Sequence, residues 1–296
     1  METAFTRLVG CRVPIQLAVV GGGVGTPALA NAVTAAGGLG MISSAHFAPV
    51  AEQLDAVAAP VGVGFFAFDL PRRSADLELA ASRARVVDVF WGDPDAAVVE
   101  RIHAGGALAF WQVGSADEAT AAADAGCDVV VAQGIEAGGH VRGTTPLLEL
   151  LAQVAGALDI PVVAAGGIAT GAAMRRCLDA GAAGVRIGTR LLASAESGAH
   201  PDYVTALIAA GDDDSVYTTA FGADWPDAPH RVLRAAVERA EALGAAARWS
   251  AQPPSTFVDG DVSAMAMYAG AGVGDVHDAP PVAVVVDRLM EELANA

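Results

Sequence analysis

The stretch AQGIEAGGHVRG, residues 132–143, sets four glycines around one histidine, His140, with Glu136 and Arg142 as the only charges beside it. An imidazole titrates near pH ~6.5 when unperturbed, so this histidine has the chemistry to take a carbon-bound proton at neutral pH. Glycines next to it let a flat group approach the main chain closely. Other glycine-rich turns share the same plan: GGGVGT (21–26), GGIATG (166–171) and GTRLL (188–192). Glycines that run from a strand into a helix present backbone N–H groups to an anion, which is how a phosphate is cradled. The first of these turns also contains GVGTPA (23–28), which fits the GxGxxA of a dinucleotide site. Such a site wants an acid at the end of the next strand, but that strand ends in ISSAH and the nearest acid is Glu52, which argues against it.

Positioning these turns requires strands, and eight short apolar runs supply candidates. They are PIQLAVV (14–20), LGMIS (39–43), VGVGFFA (61–67), VVDVFWG (86–92), ALAFWQV (107–113), DVVVAQ (128–133), PVVAAG (161–166) and GVRIGT (184–189). Most are continuously apolar, as strands buried on both faces should be. Alanine-rich helical stretches separate them. In TPALANAVTAAGG, Thr26 can cap, Pro27 can occupy the first helical position and Gly37 can close the end. Ser115 opens the next clear example, with an acidic first turn and a stop at Gly126. DAGCDVVVAQG (124–134) and DAGAAGVRIGT (179–189) echo each other as helix end, glycine stop and strand. Eight strand–helix units in under 200 residues predict an α/β fold of the (β/α)8 TIM-barrel type, with an open doubly wound sheet as its rival. The active site of such a barrel lies at the carboxyl ends of the strands, where the glycine turns fall. After the eighth run the character changes: residues 191–260 hold GDDD (211–214), two prolines near Trp225 and the helix-like HRVLRAAVERAEALGAAA (230–247). They read as a helical insertion or lid, with residues 1–190 and 261–296 forming the barrel. The glycine-rich YAGAGVGDV (268–276) and a closing helix over 281–296 complete the chain.

Composition narrows the partners. Hydrophobic residues make up 53% of the 296 and charged residues 17%. Residues 13–51 carry no Asp, Glu, Lys or Arg, yet prolines and glycines interrupt every window, so buried elements rather than a membrane helix are expected there. No basic region leading into an apolar core marks a signal peptide, and a cytoplasmic protein is expected. The formal net charge is −17 and all 17 basic residues are arginines, which disfavours nucleic acid and anionic lipid as partners. Three cysteines (Cys11, Cys127, Cys177) without a CxxC pair and six scattered histidines give no metal site.

The blocks AQGIEAGGHVRG, PVVAAGGIATG and GAAGVRIGTRLLASAES, with the early TPALANAVTAAGGLG, resemble the nitronate monooxygenase (2-nitropropane dioxygenase) family over roughly residues 13–220. The same blocks occur in flavin-dependent enoyl-acyl-carrier-protein reductases. The resemblance implies an FMN-dependent oxidoreductase that oxidises alkyl nitronates with O2. By motif position, Gln133, Gly138 and Gly139 would contact the flavin. Gly166 and Gly167 would lie against its phosphate, with Arg186, Ile187, Gly188 and Thr189 completing the cradle. His140 falls on the family's catalytic base. The alternatives are an NAD(P)H-dependent enoyl-thioester reductase and a flavin-binding protein without this chemistry; Gln133, where those reductases more often carry Glu, leans toward the oxygenase. Two departures stand out: LAV (17–19) where many relatives read APM, and Gly64 where they place asparagine. Arg142 reads either as a contact for an anionic substrate or as a surface arginine. The implied partners are a small nitronate or nitroalkane and O2, with room for a homodimer.

Overall fold

A computed structural model describes residues 1–223, 225, 227–244 and 249–296. Eight strands form the central sheet: β1 (Ile15–Leu17), β2 (Gly40–Ser43), β3 (Val61–Phe66), β4 (Val86–Phe90), β5 (Leu108–Val113), β6 (Val129–Gln133), β8 (Val162–Ala165) and β9 (Gly184–Ile187). A two-residue strand, β7 (Gly139–His140), lies between β6 and β8 in sequence, and β10 (Ser215–Thr218) and β11 (His230–Leu233) come after β9. The eight are hydrogen-bonded in the order β1-β9-β8-β6-β5-β4-β3-β2, every pairing parallel. A parallel bridge from Gln16 to Leu39 joins the two ends of that order. Leu39 donates to Ile15 O and Leu17 donates to Leu39 O, each at 2.9 Å. The (β/α)8 barrel predicted from the apolar runs is thereby formed.

The helices start and stop as their sequences dictate. Thr26 accepts from Leu29 N with Pro27 in the first turn, and Ser115 accepts from Glu118 N. Gly37 and Gly126 both take the left-handed conformation just past a helix end, at φ 100° and 90°. The helices bury their apolar sides against the sheet or against one another, and each Val, Leu or Ile so covered contributes about 1.5–3 kcal/mol. The last helix, Val282–Asn295, packs on Gly171–Asp179 and Pro27–Ala35 and so closes the outer ring. A Cβ on Gly171 would stand 2.4 Å from Glu292 Cβ, so only glycine lets these two helices meet so closely.

Residues 191–260 are not wholly helical. They carry the helices Pro201–Ala209 and Arg234–Ala242, but also β10 and β11, which pair antiparallel with each other. β11 then pairs antiparallel with β7, placing His230 opposite His140. The run HRVLRAAVERAEALGAAA, read from sequence as one helix, therefore begins as a strand. β10 pairs with all four of its first residues, and β7 pairs with His230 and Arg231 on the other side. These pairings outweigh the helical preference of the alanine-rich remainder. Residues 245–247 of that run lie outside the described residues. The segment is tied to the barrel rim elsewhere too: Gln252 Nε2 donates to Gly22 O and Gly198 N donates to Val24 O, each at 2.9 Å.

Candidate functional site

A cavity of about 420 Å3 opens at the carboxyl ends of the strands. Of the residues expected there, Gln133, Gly138, Gly139, His140, Gly166, Gly167, Arg186, Gly188 and Thr189 all line it. Ile187 does not: the strand pleat turns it away from its neighbour Arg186, and it lies in the core with no exposure. Its backbone accepts from Ala18 N and holds β9 to the first turn.

Glycine is required in these turns for two separate reasons. Gly166 and Gly167 sit at φ 130° and 63°, a region where side chains are strained. Gly188 has a negative φ, but among the described residues a Cβ there would meet only Ala18 Cβ, at 3.4 Å. The space above Gly188 thus belongs to the cavity, as a cradle for an approaching group demands. The late YAGAGVG segment, whose 3-10 turn spans Ala271–Asp275, packs directly on these turns. Ala271 N donates to Glu136 O at 2.8 Å, and Gly270 N donates to Thr189 Oγ1 at 3.0 Å. A Cβ on Gly138 would fall 2.6 Å from Gly270 N, and one on Gly272 2.5 Å from Gly167 O. The turns after β6, β8 and β9 are therefore interlocked, backbone against backbone, around one end of the cavity. Such a surface of small residues and main-chain amides fits a phosphate-bearing flat cofactor.

Gln133, the last residue of β6, spends its amide on the loop that carries the histidine. Nε2 donates to His140 O at 2.9 Å, and Oε1 accepts from Arg142 N at 3.2 Å. His140 is further held by the β7–β11 pairing and packed among rings. Trp225 lies 4.2 Å from it between centroids, His230 5.4 Å, Tyr268 5.6 Å and Trp91 5.8 Å. Its Nε2 is buried with no hydrogen-bond partner among the described residues. Burial first, and the neighbouring His230 second, push its pKa down to about 3, so the imidazole is neutral at physiological pH. A neutral imidazole held this way is a weak base toward a neutral carbon acid. An anionic ligand beside it would favour its protonated form and so reverse part of that shift.

Arg142 is half-buried and held by two carboxylates. Its guanidinium bonds Glu118 at 2.6 Å and Asp93 at 2.5 Å, and it is absent from the cavity wall. Arg186 does reach the cavity, but its guanidinium is committed to side chains of the barrel interior rather than to the glycine cradle. It pairs with Asp88 at 2.6 Å, donates to Gln16 at 3.3 Å and donates to Gln112 Oε1. Both ends of the ion pair are almost wholly buried, with side-chain exposures of 3% and 2%. Desolvation holds the Asp88 carboxyl above the usual range even though Arg186 opposes it. This polar floor was missed from sequence. Its signal was a lone polar residue inside each of three apolar runs: Gln16, Asp88 and Gln112. The two departures noted in the sequence meet each other, since a Cβ on Gly64 would lie 2.4 Å from Val19 Cγ1. Val19 occupies the volume that a side chain at position 64 would need.

The site is thus a closed (β/α)8 barrel with glycine turns and His140 gathered at the carboxyl ends of its strands. The family model for nitronate monooxygenase matches residues 69–292, and the chain belongs to that family. Among curated proteins it is similar to a (3aS,4S,5R,7aS)-5-hydroxy-7a-methyl-1-oxo-octahydro-1H-indene-4-carboxyl-CoA dehydrogenase of Rhodococcus jostii. The two are 33% identical over 241 residues, 79% of this chain and 66% of that protein, so the chain spans just under two thirds of this relative. Among solved structures it is similar to FabK from Thermotoga maritima, with a TM-score of 0.87, 28% identity and coverage of 100% of this chain and 97% of that one. A nitroalkane oxidase from Streptomyces ansochromogenes gives a TM-score of 0.83, 30% identity and coverage of 99% of both chains. Among the described residues no helix is long and apolar enough to cross a membrane, and no cluster of three or more metal-binding side chains occurs.

Proposed function

We propose that this chain is an FMN-dependent oxidoreductase that oxidises alkyl nitronates with O2. The observation that carries this reading is His140, neutral and with no partner for its Nε2 among the described residues, on the wall of a cavity flanked by interlocked glycine turns. The flavin, when bound, would accept electrons from the carbanionic substrate and pass them to O2. Residues of this chain do the rest. The amides around Gly166, Gly167 and Gly188 would hold the single phosphate, and Gly138 and Gly139 would let the flat ring system lie against the main chain. Gln133 acts through the loop, fixing the backbone of His140 and Arg142. His140 would meet the negative head of a nitronate and gain a proton's share of charge as it does so. This favours a substrate that arrives already ionised over a neutral nitroalkane.

Similarity to FabK supports a second reading, a reductase that draws electrons from NAD(P)H. Anaerobic mixing separates the two. Purified, flavin-loaded protein should bleach with a preformed nitronate and stay yellow with NADPH. Bleaching by NADPH alone would replace the first reading with the second. The released flavin should be FMN, because the cradle serves one phosphate; recovery of FAD would overturn that assignment.

A further inference from the structure

The rings around His140 continue well beyond it. Trp225 lies edge-on to Phe66 at 4.9 Å and to Phe68 at 4.9 Å, and to Trp91 at 4.8 Å. Phe66 and Phe68 are stacked on each other, 5.3 Å apart and 11° from parallel. His140, Trp225, Phe66 and Phe90 line the cavity, whereas Phe68 stands outside that lining, packed on Phe66 and Trp225 and 48% exposed. Two ring-to-ring steps, of 4.2 and 4.9 Å, thus lead from the histidine to the surface. The path is rigid at its base. Trp91 holds φ 62°, a left-handed conformation that a bulky residue adopts only when its surroundings impose it. The next residue is pinned: Trp111 Nε1 donates to Gly92 O at 3.0 Å, and a Cβ on Gly92 would meet Ala67 Cβ at 2.4 Å. The rings that form this path carry no charge. The nearest cation in the loop, Arg142, is held away by Glu118 and Asp93.

We propose that this aromatic lane is the subsite for a linear apolar tail of the substrate, so that the preferred substrate is a longer primary alkyl nitronate rather than the smallest ones. The tail leaves the reacting carbon beside His140, passes Trp225 and emerges at Phe68. The inference rests on the nitronate reading for the identity of the head group, but the lane itself is tested by binding alone.

The experiment is calorimetric titration of the protein, under anaerobic conditions, with 1-nitroalkanes from nitroethane to 1-nitrohexane. Burying one methylene stabilises by about 0.8 kcal/mol, which is about a fourfold fall in Kd per added carbon. That slope is the expected result for the unaltered protein. Trp225→Ala should reduce the slope to below about twofold. Phe68→Ala, at the exposed end where folding is little at risk, should keep the early slope and lose the gain from the last carbons. A Kd independent of chain length in the unaltered protein overturns the lane, as does an undiminished slope in Trp225→Ala. In a parallel assay the same series is supplied as nitronates and turnover is measured. Chain-length-dependent binding without any turnover keeps the lane and removes the proposed reaction; turnover of short nitronates with flat binding does the reverse.

Discussion

At the scale of single residues, the chain separates groups that look alike in sequence. Arg142 and Arg186 both lie in glycine-rich blocks, yet one is a half-buried ion pair outside the cavity and the other a fully buried one at its floor. For His140 the consequence concerns pH. With its pKa pushed down to about 3, it does not titrate in the neutral range. kcat/KM for a preformed nitronate should therefore show no break attributable to it between about pH 5 and pH 8. His140→Ala should lower that parameter by the loss of a contact to the nitronate head while FMN content stays near normal, since the flavin would be held by the glycine turns. An inflection near the free-imidazole value that vanishes in the variant would show that the ring is charged in the working enzyme. At Gly188 the expected effect is on retention. Gly188→Val adds bulk where, among the described residues, only Ala18 Cβ stands near, so the fold should survive and flavin binding should be lost. Normal FMN affinity by fluorescence titration would place the phosphate elsewhere. For the floor pair, Asp88→Asn leaves a buried guanidinium uncompensated and should cost about 3–5 kcal/mol by urea unfolding. The double variant Asp88→Leu with Arg186→Met should recover much of that loss, and its failure to do so would mean that the pair contributes more than mutual neutralisation.

At the scale of elements, the barrel strands were legible because their burial on both faces leaves a continuous apolar run, a local signal. The glycine turns were legible for a related reason, since the demand for missing side chains or left-handed backbone falls on single positions such as Gly166 and Gly167. β7 and β11 were not. A two-residue strand has no periodicity to read, and its partner lies about 90 residues away at the head of a helix-forming run. The floor escaped for another reason. Gln16, Asp88, Gln112 and Arg186 are brought together only by the alternation of four separate strands, which spacing within any one of them cannot reveal. Of the site residues, those read from glycine blocks reached the cavity, and Ile187 alone was lost to the pleat. The hairpin's importance is open to test. Val232→Pro would remove a β11 donor and disturb the pairing that carries His230 to His140. Flavin retention should then persist while nitronate turnover falls, since the cradle and the histidine loop rest on different elements; loss of both together would show that they fold as one unit.

At the scale of the whole molecule, an acidic chain has arranged its buried titratable groups so that acid weakens it before its carboxylates are neutralised. His46, His140 and His230 all have pKa values lowered by burial. In the unfolded chain each would take up a proton near pH ~6.5. The folded state refuses that proton, so below this value the unfolded state binds more protons than the native one, and stability falls as pH falls. For His140 the window runs from about 6.5 down to its folded value of about 3, and by pH 5 its share is at most about 2 kcal/mol. Asp88 works in the opposite sense, since burial raises its carboxyl and the folded state holds its proton more readily than the unfolded one does. The net slope is therefore a contest, and one variant isolates a contributor. His140→Gln removes the titrating ring but keeps a polar group of similar size at the cavity wall. Between pH 7.5 and pH 5 the urea midpoint should lose more for the unaltered protein than for His140→Gln, so that the difference between the two shifts in favour of the variant as the pH drops. Parallel curves across that range would show that His140 takes up its proton in the folded state as easily as in the unfolded one, and that its burial does not hold it neutral.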